Sequence, residues 1–233
     1  WLDISGSERF EKINTDWLLQ QGFITKTEKN TNDNLFYWCE QLPYLYADEL
    51  IFTNINQLNY MLSYTAPEQH DLILKKAKIL PQPTLERSFY EISQVKLERD
   101  ESSTYLGYFG SFYVNRGFKP FIDAWAALPE NVKYKIKLYI YTQQDEESVL
   151  QAVPDDLKAQ IVLQKYVGYF DFLALSDQFD GLVVMDAQTK GLKMNNPYLP
   201  SKISDYLGSK ATTLALFEDG SPMSNIEADK LIK

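Results

Sequence analysis

Cysteine and histidine, which build most metal and redox sites, are almost missing from this chain. Its 233 residues hold one cysteine, Cys39, and one histidine, His70. A lone cysteine excludes an intrachain disulfide and a cysteine metal cluster, and it fits a reducing compartment. A lone histidine leaves little room for a histidine-based metal site. There is no D-x-D to hold a metal-bound diphosphate. There is no G-x-S-x-G, and a serine triad would have to use His70, outside the regular part of the chain. Nor is there a G-x-G-x-x-G, which argues against a dinucleotide oxidoreductase. No apolar run approaches the roughly 18 residues of a membrane span. Basic charge is also scarce. Lys and Arg number 23 against 32 Asp and Glu, a net charge of −9. Without a basic block, a nucleic-acid partner is not expected, nor a polybasic patch for an anionic membrane. Trp1 is preceded by no methionine and no signal-peptide pattern, so we expect a fragment.

What is present is the material of a large core. Apolar residues make up 45% and aromatics 14%, the composition of a folded globular protein. WLDI reads as a strand end, the stretch through Trp17–Leu19 as a helix, and Thr25–Asn34 as a mobile polar loop. NLFYWCEQLPYLYADEL reads as a helix interrupted near Pro43. A short strand ELIFTN, two helices (INQLNYMLSYT and PEQHDLILKKA) and a strand AKILPQP follow. Prolines and then charges mark a linker, set at residues 85–103. From Thr104 strand and helix alternate. TYLGYFG, VKYKIKLYIY (Val132–Tyr141, period two), QIVLQK, DGLVVMD and TTLALF are strands. RGFKPFIDAWAAL, DEESVLQAV, YFDFLALSDQ, SKISDYLGS and SPMSNIEADKLI are helices. The pattern predicts an α/β fold with a doubly wound, Rossmann-like, mostly parallel sheet.

In such sheets ligands sit beyond the carboxyl ends of the strands. That rim carries Gly110, Gly168, Asp186 and the loop Asn195–Lys202. The N–H groups of a helix opening at Ser201 lack partners and suit a phosphate, and Lys202 adds a full charge. Asp205, four residues after Ser201, shares its helix face and would meet a ribose hydroxyl. From spacing alone, an ordinary Ser cap with a solvated Lys and Asp explains the same pattern equally well. Gly110 ends a strand and permits close approach to the backbone, and Arg116 can fork onto a diphosphate. A tight turn with an exposed Arg is the plainer alternative. The long loop MDAQTKGLKMNNPYLP exceeds the usual connection length, and its Lys190 and Lys193 are further candidates for the anion site. Asp145, Glu146 and Glu147 read as a helix start, Asp155 and Asp156 as a turn or cap, and His70 as a surface or packing residue. No side chain stands out as a catalytic acid or base.

NPYLPSKISDYLGSKATTLAL resembles the C-terminal, donor-binding domain of two-domain GT-B glycosyltransferases of the large group 1 family, of the bacterial polysaccharide type. The motif residues are Pro200, Ser201, Lys202, Ile203, Asp205, Tyr206 and Leu207. YFGSFYVNRGFKPFIDAW is similar to the family's glycine-ended strand and following helix, with Arg116 where a lysine is usual. VGYFDFLALSDQFDGLVVMD resembles its base-binding loop and next strand. The resemblance implies residues 1–84 as the remnant of an acceptor domain and 104–233 as a donor-binding domain, truncated at its C-terminus. It implies transfer of a sugar from a nucleotide diphosphate sugar to a glycan or lipid-linked glycan, with retention and with no metal or other cofactor. Gly110, Ser111, Arg116, Ser201 and Lys202 would meet the diphosphate. Asp205, Asn196 and Tyr198 would meet ribose and sugar, and Gly168 and Tyr169 the base. The location implied is cytoplasmic, peripheral to the inner face of the plasma membrane only through missing parts. The chain departs from the pattern in three places. Ser111 stands for a basic residue, Pro197 for the first glutamate of a pair, and Asp205 for the second. A non-catalytic scaffold of the same fold, or another phosphate-ligand α/β enzyme such as a nucleotide-sugar epimerase, are the alternatives.

Overall fold

The computed structural model describes residues 33–113, 116–151, 153–228 and 231–232. The readings made for the chain before residue 33 lie outside them. The chain divides into two compact units. Of the described residues, 33–52 and 61–80 belong to the first, and 53–60 with those from 81 onward to the second.

In the first unit, helix α1 (Asp33–Tyr46) runs through Pro43 without interruption. Proline removes one donor, but its carbonyl still accepts from Ala47 N at 3.0 Å. Strands β1 (Leu50–Phe52) and β2 (Ala77–Ile79) pair in parallel. Helix α2 (Ile55–Ser63) spans the boundary between the units, and α3 (His70–Lys76) leads into β2. Lys76 Nζ donates to the Tyr44 and Leu45 carbonyls, both at 3.0 Å. These are among the last carbonyls of α1, where a cation is favoured.

The second unit is a six-stranded, wholly parallel sheet. Its strands are β3 (Thr104–Phe109), β4 (Ile136–Tyr141), β5 (Ile161–Gln164), β6 (Gly181–Met185), β7 (Thr212–Leu216) and β8 (Leu231–Ile232), in the order β5-β4-β3-β6-β7-β8. The order runs one way from β3 to β5 and the other way from β6 to β8, which is a doubly wound, Rossmann-like sheet. Both faces are covered. Leu106, Tyr108, Leu138, Ile140, Val183 and Met185 pack under α5 (Lys119–Ala126), α7 (Glu146–Leu150) and α8 (Asp155–Lys158). Tyr105, Phe109, Leu182, Val184 and Ala215 pack on the other side with Leu175 of α9 (Tyr169–Ser176) and with Ile203 and Tyr206 of α10 (Lys202–Gly208). Residues Leu182–Met185 of β6 are therefore apolar on both faces, as central parallel strands must be. Among the described residues no helix is long and apolar enough to cross a membrane.

Besides the uninterrupted α1, other elements differ from the sequence reading. β4 begins at Ile136, not Val132. Pro129 opens a helical turn, α6 (Glu130–Lys133), whose Val132 and Lys133 amides donate to the Pro129 carbonyl at 2.9 and 2.8 Å. Proline preset for a first turn overrides the alternation of Val132 and Tyr134, which stay 43% and 42% exposed. The expected final helix is instead a single tight turn, Pro222–Asn225, followed by β8. Ile226 adopts extended backbone and ends the turn, and Leu231 and Ile232 extend the sheet beside Thr213 and Leu214. Residues 85–103, read as a linker, contain α4 (Arg87–Tyr90) and are tied to the turn that joins α9 to β6. Arg87 pairs with Asp177, Leu97 N donates to Gln178 Oε1 at 2.9 Å, and Arg99 Nη2 pairs with Asp180 at 2.7 Å.

Candidate functional site

The strand order reverses between β3 and β6, so the loops that follow these two strands diverge and leave a crevice at their carboxyl ends. Gly110 follows β3 and Asp186 follows β6. Gly110 has φ +144°, a conformation that side-chain-bearing residues rarely adopt. A Cβ placed there would collide with the Lys202 ammonium. The close approach expected at this glycine is thus made by the first residue of α10.

Lys202 Nζ donates to the Phe109 carbonyl at the end of β3. It also lies 4.6 Å from the Tyr108 ring centroid. Among the described residues no carboxylate pairs with it. Burial, and then the neighbouring Arg116 charge, lower its pKa to about 8.

Arg116 lies in the loop after β3, held by a short antiparallel bridge to Tyr113 in which its amide donates to the Tyr113 carbonyl at 2.9 Å. Its guanidinium carbon is 5.9 Å from the Tyr113 ring centroid. Its Nε is buried and has no hydrogen-bond partner among the described residues. Asp186 is 5% exposed, and neither of its carboxylate oxygens has a hydrogen-bond partner among the described residues. Burial pushes its pKa up. The neighbouring Ser221 hydroxyl, the Glu218 and Ala187 backbone and the Arg116 charge pull the other way, and none closes a hydrogen bond. Among the described residues neither Arg116 nor Lys202 makes an ion pair, although the buried Asp186 carboxylate lies within electrostatic reach of Arg116.

Ser201 stands at the head of α10 with helical backbone (φ −57°, ψ −35°), and its hydroxyl makes no capping bond. The ordinary Ser cap is not what the structure shows. Asp205, one turn further on, accepts the Tyr169 hydroxyl on Oδ1 at 2.7 Å, and burial raises its pKa. Tyr169 is the first residue of α9, and Gly168 is its N-cap in extended backbone. Ser111 Oγ lies 2.8 Å from the Tyr166 hydroxyl, which links the loop after β3 to the loop after β5. The structure thus brings Gly110, Arg116 and Lys202 together at the crevice, and Tyr169 together with Asp205 beside them on α10.

Other sequence candidates are placed elsewhere or are already engaged. Asn196 is buried. Its amide donates to the Ala187 carbonyl at 2.8 Å and to Glu218 Oε2 at 3.2 Å, and its Oδ1 accepts from Tyr198 N at 3.0 Å. Lys193 Nζ donates to the Tyr60 hydroxyl at 2.6 Å and lies 4.6 and 5.4 Å from the Tyr60 and Tyr198 ring centroids. Lys190 is exposed and gives its amide to Glu218 at 3.0 Å. Asp145 caps α7, accepting from Ser148 N at 2.8 Å. His70 Nε2 sits 3.1 Å from the Thr65 carbonyl, a packing role. Glu218, which the sequence reading passed over, fixes the long loop after β6. It accepts from Thr189 N, Thr189 Oγ1 and Lys190 N as well as from Asn196. Its position just past a buried strand, on the ligand-bearing rim, was the available signal.

No family model matches the chain, and no curated protein matches it in sequence. Solved structures do match its fold. WaaG, a glycosyltransferase involved in lipopolysaccharide biosynthesis, aligns over 86% of this chain and 53% of its own, with TM-score 0.55 and 16% identity. Anabaena Alr3699/HepE in complex with UDP-glucose aligns over 87% and 54%, with TM-score 0.54 and 13% identity. An α,α-trehalose-phosphate synthase (UDP-forming) from Burkholderia vietnamiensis aligns over 82% and 49%, with TM-score 0.53 and 10% identity. The fold is that of GT-B glycosyltransferases. The chain spans about half the length of these structures. At such identities the likeness is one of fold, and in a fold of this class the β3–β6 crevice is the place where a ligand binds.

Proposed function

We propose that this chain is the nucleotide-sugar-binding part of a glycosyltransferase that passes a sugar from a nucleoside diphosphate to a glycan or lipid-linked glycan. Residues 104–233 form the donor-binding domain, and residues 1–84 are what is present of an acceptor domain. The supporting observation is the pair of cations, Arg116 and Lys202, at the switch point of the sheet, neither of them in an ion pair among the described residues. A diphosphate supplies the missing charge. As the bond to the sugar breaks, negative charge grows on the leaving diphosphate, and two preorganised cations stabilise that growth. Lys202 has a lowered pKa in the free protein, about 8, and an adjacent anion raises it and holds the charge to higher pH. The Gly110 and Ser111 turn and the Ser201 hydroxyl complete the diphosphate contacts. Asp205 accepts a ribose hydroxyl, and Gly168 and Tyr169 border the base. Asn196 and Tyr198 would meet the sugar through the loop backbone, because the Asn196 side chain is already engaged. Retention at the anomeric carbon, a reaction without metal and a cytoplasmic location are carried over from the resemblance.

Ser111 and Pro197 favour a second reading, a binding partner that kept the fold and lost the chemistry. The Ser111 hydroxyl meets Tyr166 rather than adding a cation, and Pro197 has no side-chain acceptor. Incubating the full-length protein with a panel of nucleotide sugars and following the anomeric proton by NMR separates the two. Release of nucleoside diphosphate with transfer supports the enzyme. Binding with neither transfer nor hydrolysis of any donor supports the scaffold.

A further inference from the structure

Asp205 is a half-buried carboxylate short of donors. A carboxylate offers about four lone-pair sites. Here Oδ1 takes one hydrogen bond, from the Tyr169 hydroxyl at 2.7 Å. Oδ2 has no hydrogen-bond partner among the described residues. Among the described residues no cation pairs with it either. Arg87, which packs nearby on α4, is committed to Asp177 and to the Gly208 carbonyl, and Lys202 on the same helix points to Phe109. Two further titratable neighbours do not reach the carboxylate: Tyr90 of α4 gives its hydroxyl to the Asp205 backbone carbonyl at 2.6 Å, and the buried Tyr206 hydroxyl accepts from Phe109 N at 3.1 Å. The backbone is thus clamped from one side and one carboxylate oxygen from the other, with the second oxygen left open. Tyr169 itself is 52% exposed. Its ring lies 6.1 Å from Phe170 and 5.9 Å from Phe172, centroid to centroid, in a small aromatic cluster at the head of α9.

On the reading that Asp205 accepts a ribose hydroxyl, we infer that Tyr169 is a positioning residue that sets ribose specificity. Its hydroxyl locks the Asp205 carboxylate so that Oδ2 faces the sugar, while its ring borders the base. Asp205 has one methylene less than a glutamate and cannot recover a lost orientation by flexing its chain. The lock holds across the physiological range, because burial and the hydrogen bond to Asp205 raise the Tyr169 pKa to about 12 and keep the phenol protonated. Burial alone raises the Asp205 pKa, and the phenol opposes that rise. Removing the hydroxyl therefore lets the carboxylate take up a proton at higher pH.

The test is calorimetric titration of the full chain, wild type and Tyr169→Phe, with UDP, GDP and ADP and with their 2′-deoxy and 3′-deoxy counterparts, from pH 5 to 8. Wild type should prefer one ribonucleotide over its weaker deoxy analogue by about tenfold, the usual weight of a hydrogen bond to a charged acceptor. Tyr169→Phe should shrink that preference to about twofold, chiefly by weakening the ribonucleotide. Its preference should also vanish at higher pH than in wild type as the solution is acidified. Tyr169→Leu should shrink the preference to the same extent and should weaken the deoxy forms as well, because it removes the ring along with the hydroxyl. An unchanged ribo-to-deoxy ratio and an unchanged acid limb in a folded Tyr169→Phe protein would overturn the inference. Failure of wild type to bind any of the nucleotides would instead overturn the donor-site reading beneath it.

Discussion

Gly110 and Lys202 occupy one space: the ammonium of Lys202 sits where a side chain at Gly110 would begin. Gly110→Ala should therefore do two things at once. It puts a Cβ at φ +144°, and it drives Lys202 off the Phe109 carbonyl. We expect a loss of about 1–3 kcal/mol of stability, the usual scale of such backbone strain, together with loss of nucleotide binding. Urea denaturation and calorimetry report the two separately. A fully stable Gly110→Ala protein would mean that the turn relaxes easily.

Lys202 is a buried charge that costs stability. Its ammonium is largely buried with one carbonyl and one aromatic ring as neighbours. Lys202→Met keeps the volume and removes the charge, so it should stabilise the fold by about 1–2 kcal/mol at pH 7 while weakening nucleotide binding. The folded pKa is about 8 against the usual 10.5. Below about 8 both states carry the proton and the full cost of the buried charge is present. Between about 8 and 10.5 the unfolded chain holds more protons, so wild-type stability should rise with pH. Lys202→Met should flatten that rise in melting curves taken from pH 7 to 10.

The same titration should govern affinity. An anion beside Lys202 needs it charged, so nucleoside diphosphate affinity should fall as pH rises through about 8. Binding above that pH should take up a proton, visible as a dependence of the calorimetric heat on buffer ionisation. Arg116→Ala removes a cation that lowers the Lys202 pKa, so the falling limb should move to higher pH even as overall affinity drops.

Glu218 holds the loop after β6 through four hydrogen bonds. Glu218→Ala should free Thr189, Lys190 and Asn196 together and cost about 2–4 kcal/mol, on the scale of several hydrogen bonds to one charged acceptor. Hydrogen exchange should accelerate across residues 187–198 with the β3–β4 pair unaffected.

Much of the second unit was legible in the sequence because its elements are local. Apolar runs such as GLVVM, with turn residues between them, specify strands whatever their neighbours. The glycine ending β3 and the Ser201–Lys202 pair opening α10 mark the crevice in the same local way. What escaped was decided over distance or by competition. Pro129 opened a helical turn inside a stretch whose alternation favoured a strand. Leu231 and Ile232 became a strand because β7 offered a free edge, which no periodicity in SPMSNIEADKLI reveals. Glu218 reaches Thr189 across 29 positions and Tyr169 reaches Asp205 across 36. Such pairs leave no spacing signal on either side.

The most direct test is calorimetric titration of wild type and of Arg116→Ala/Lys202→Ala with UDP, GDP and ADP at pH 7. Wild type should bind at least one of them, and the folded double variant should lose at least about a hundredfold in affinity, the combined weight of two charge-assisted contacts. A folded double variant that binds as tightly as wild type would contradict the placement of the diphosphate at the β3–β6 crevice.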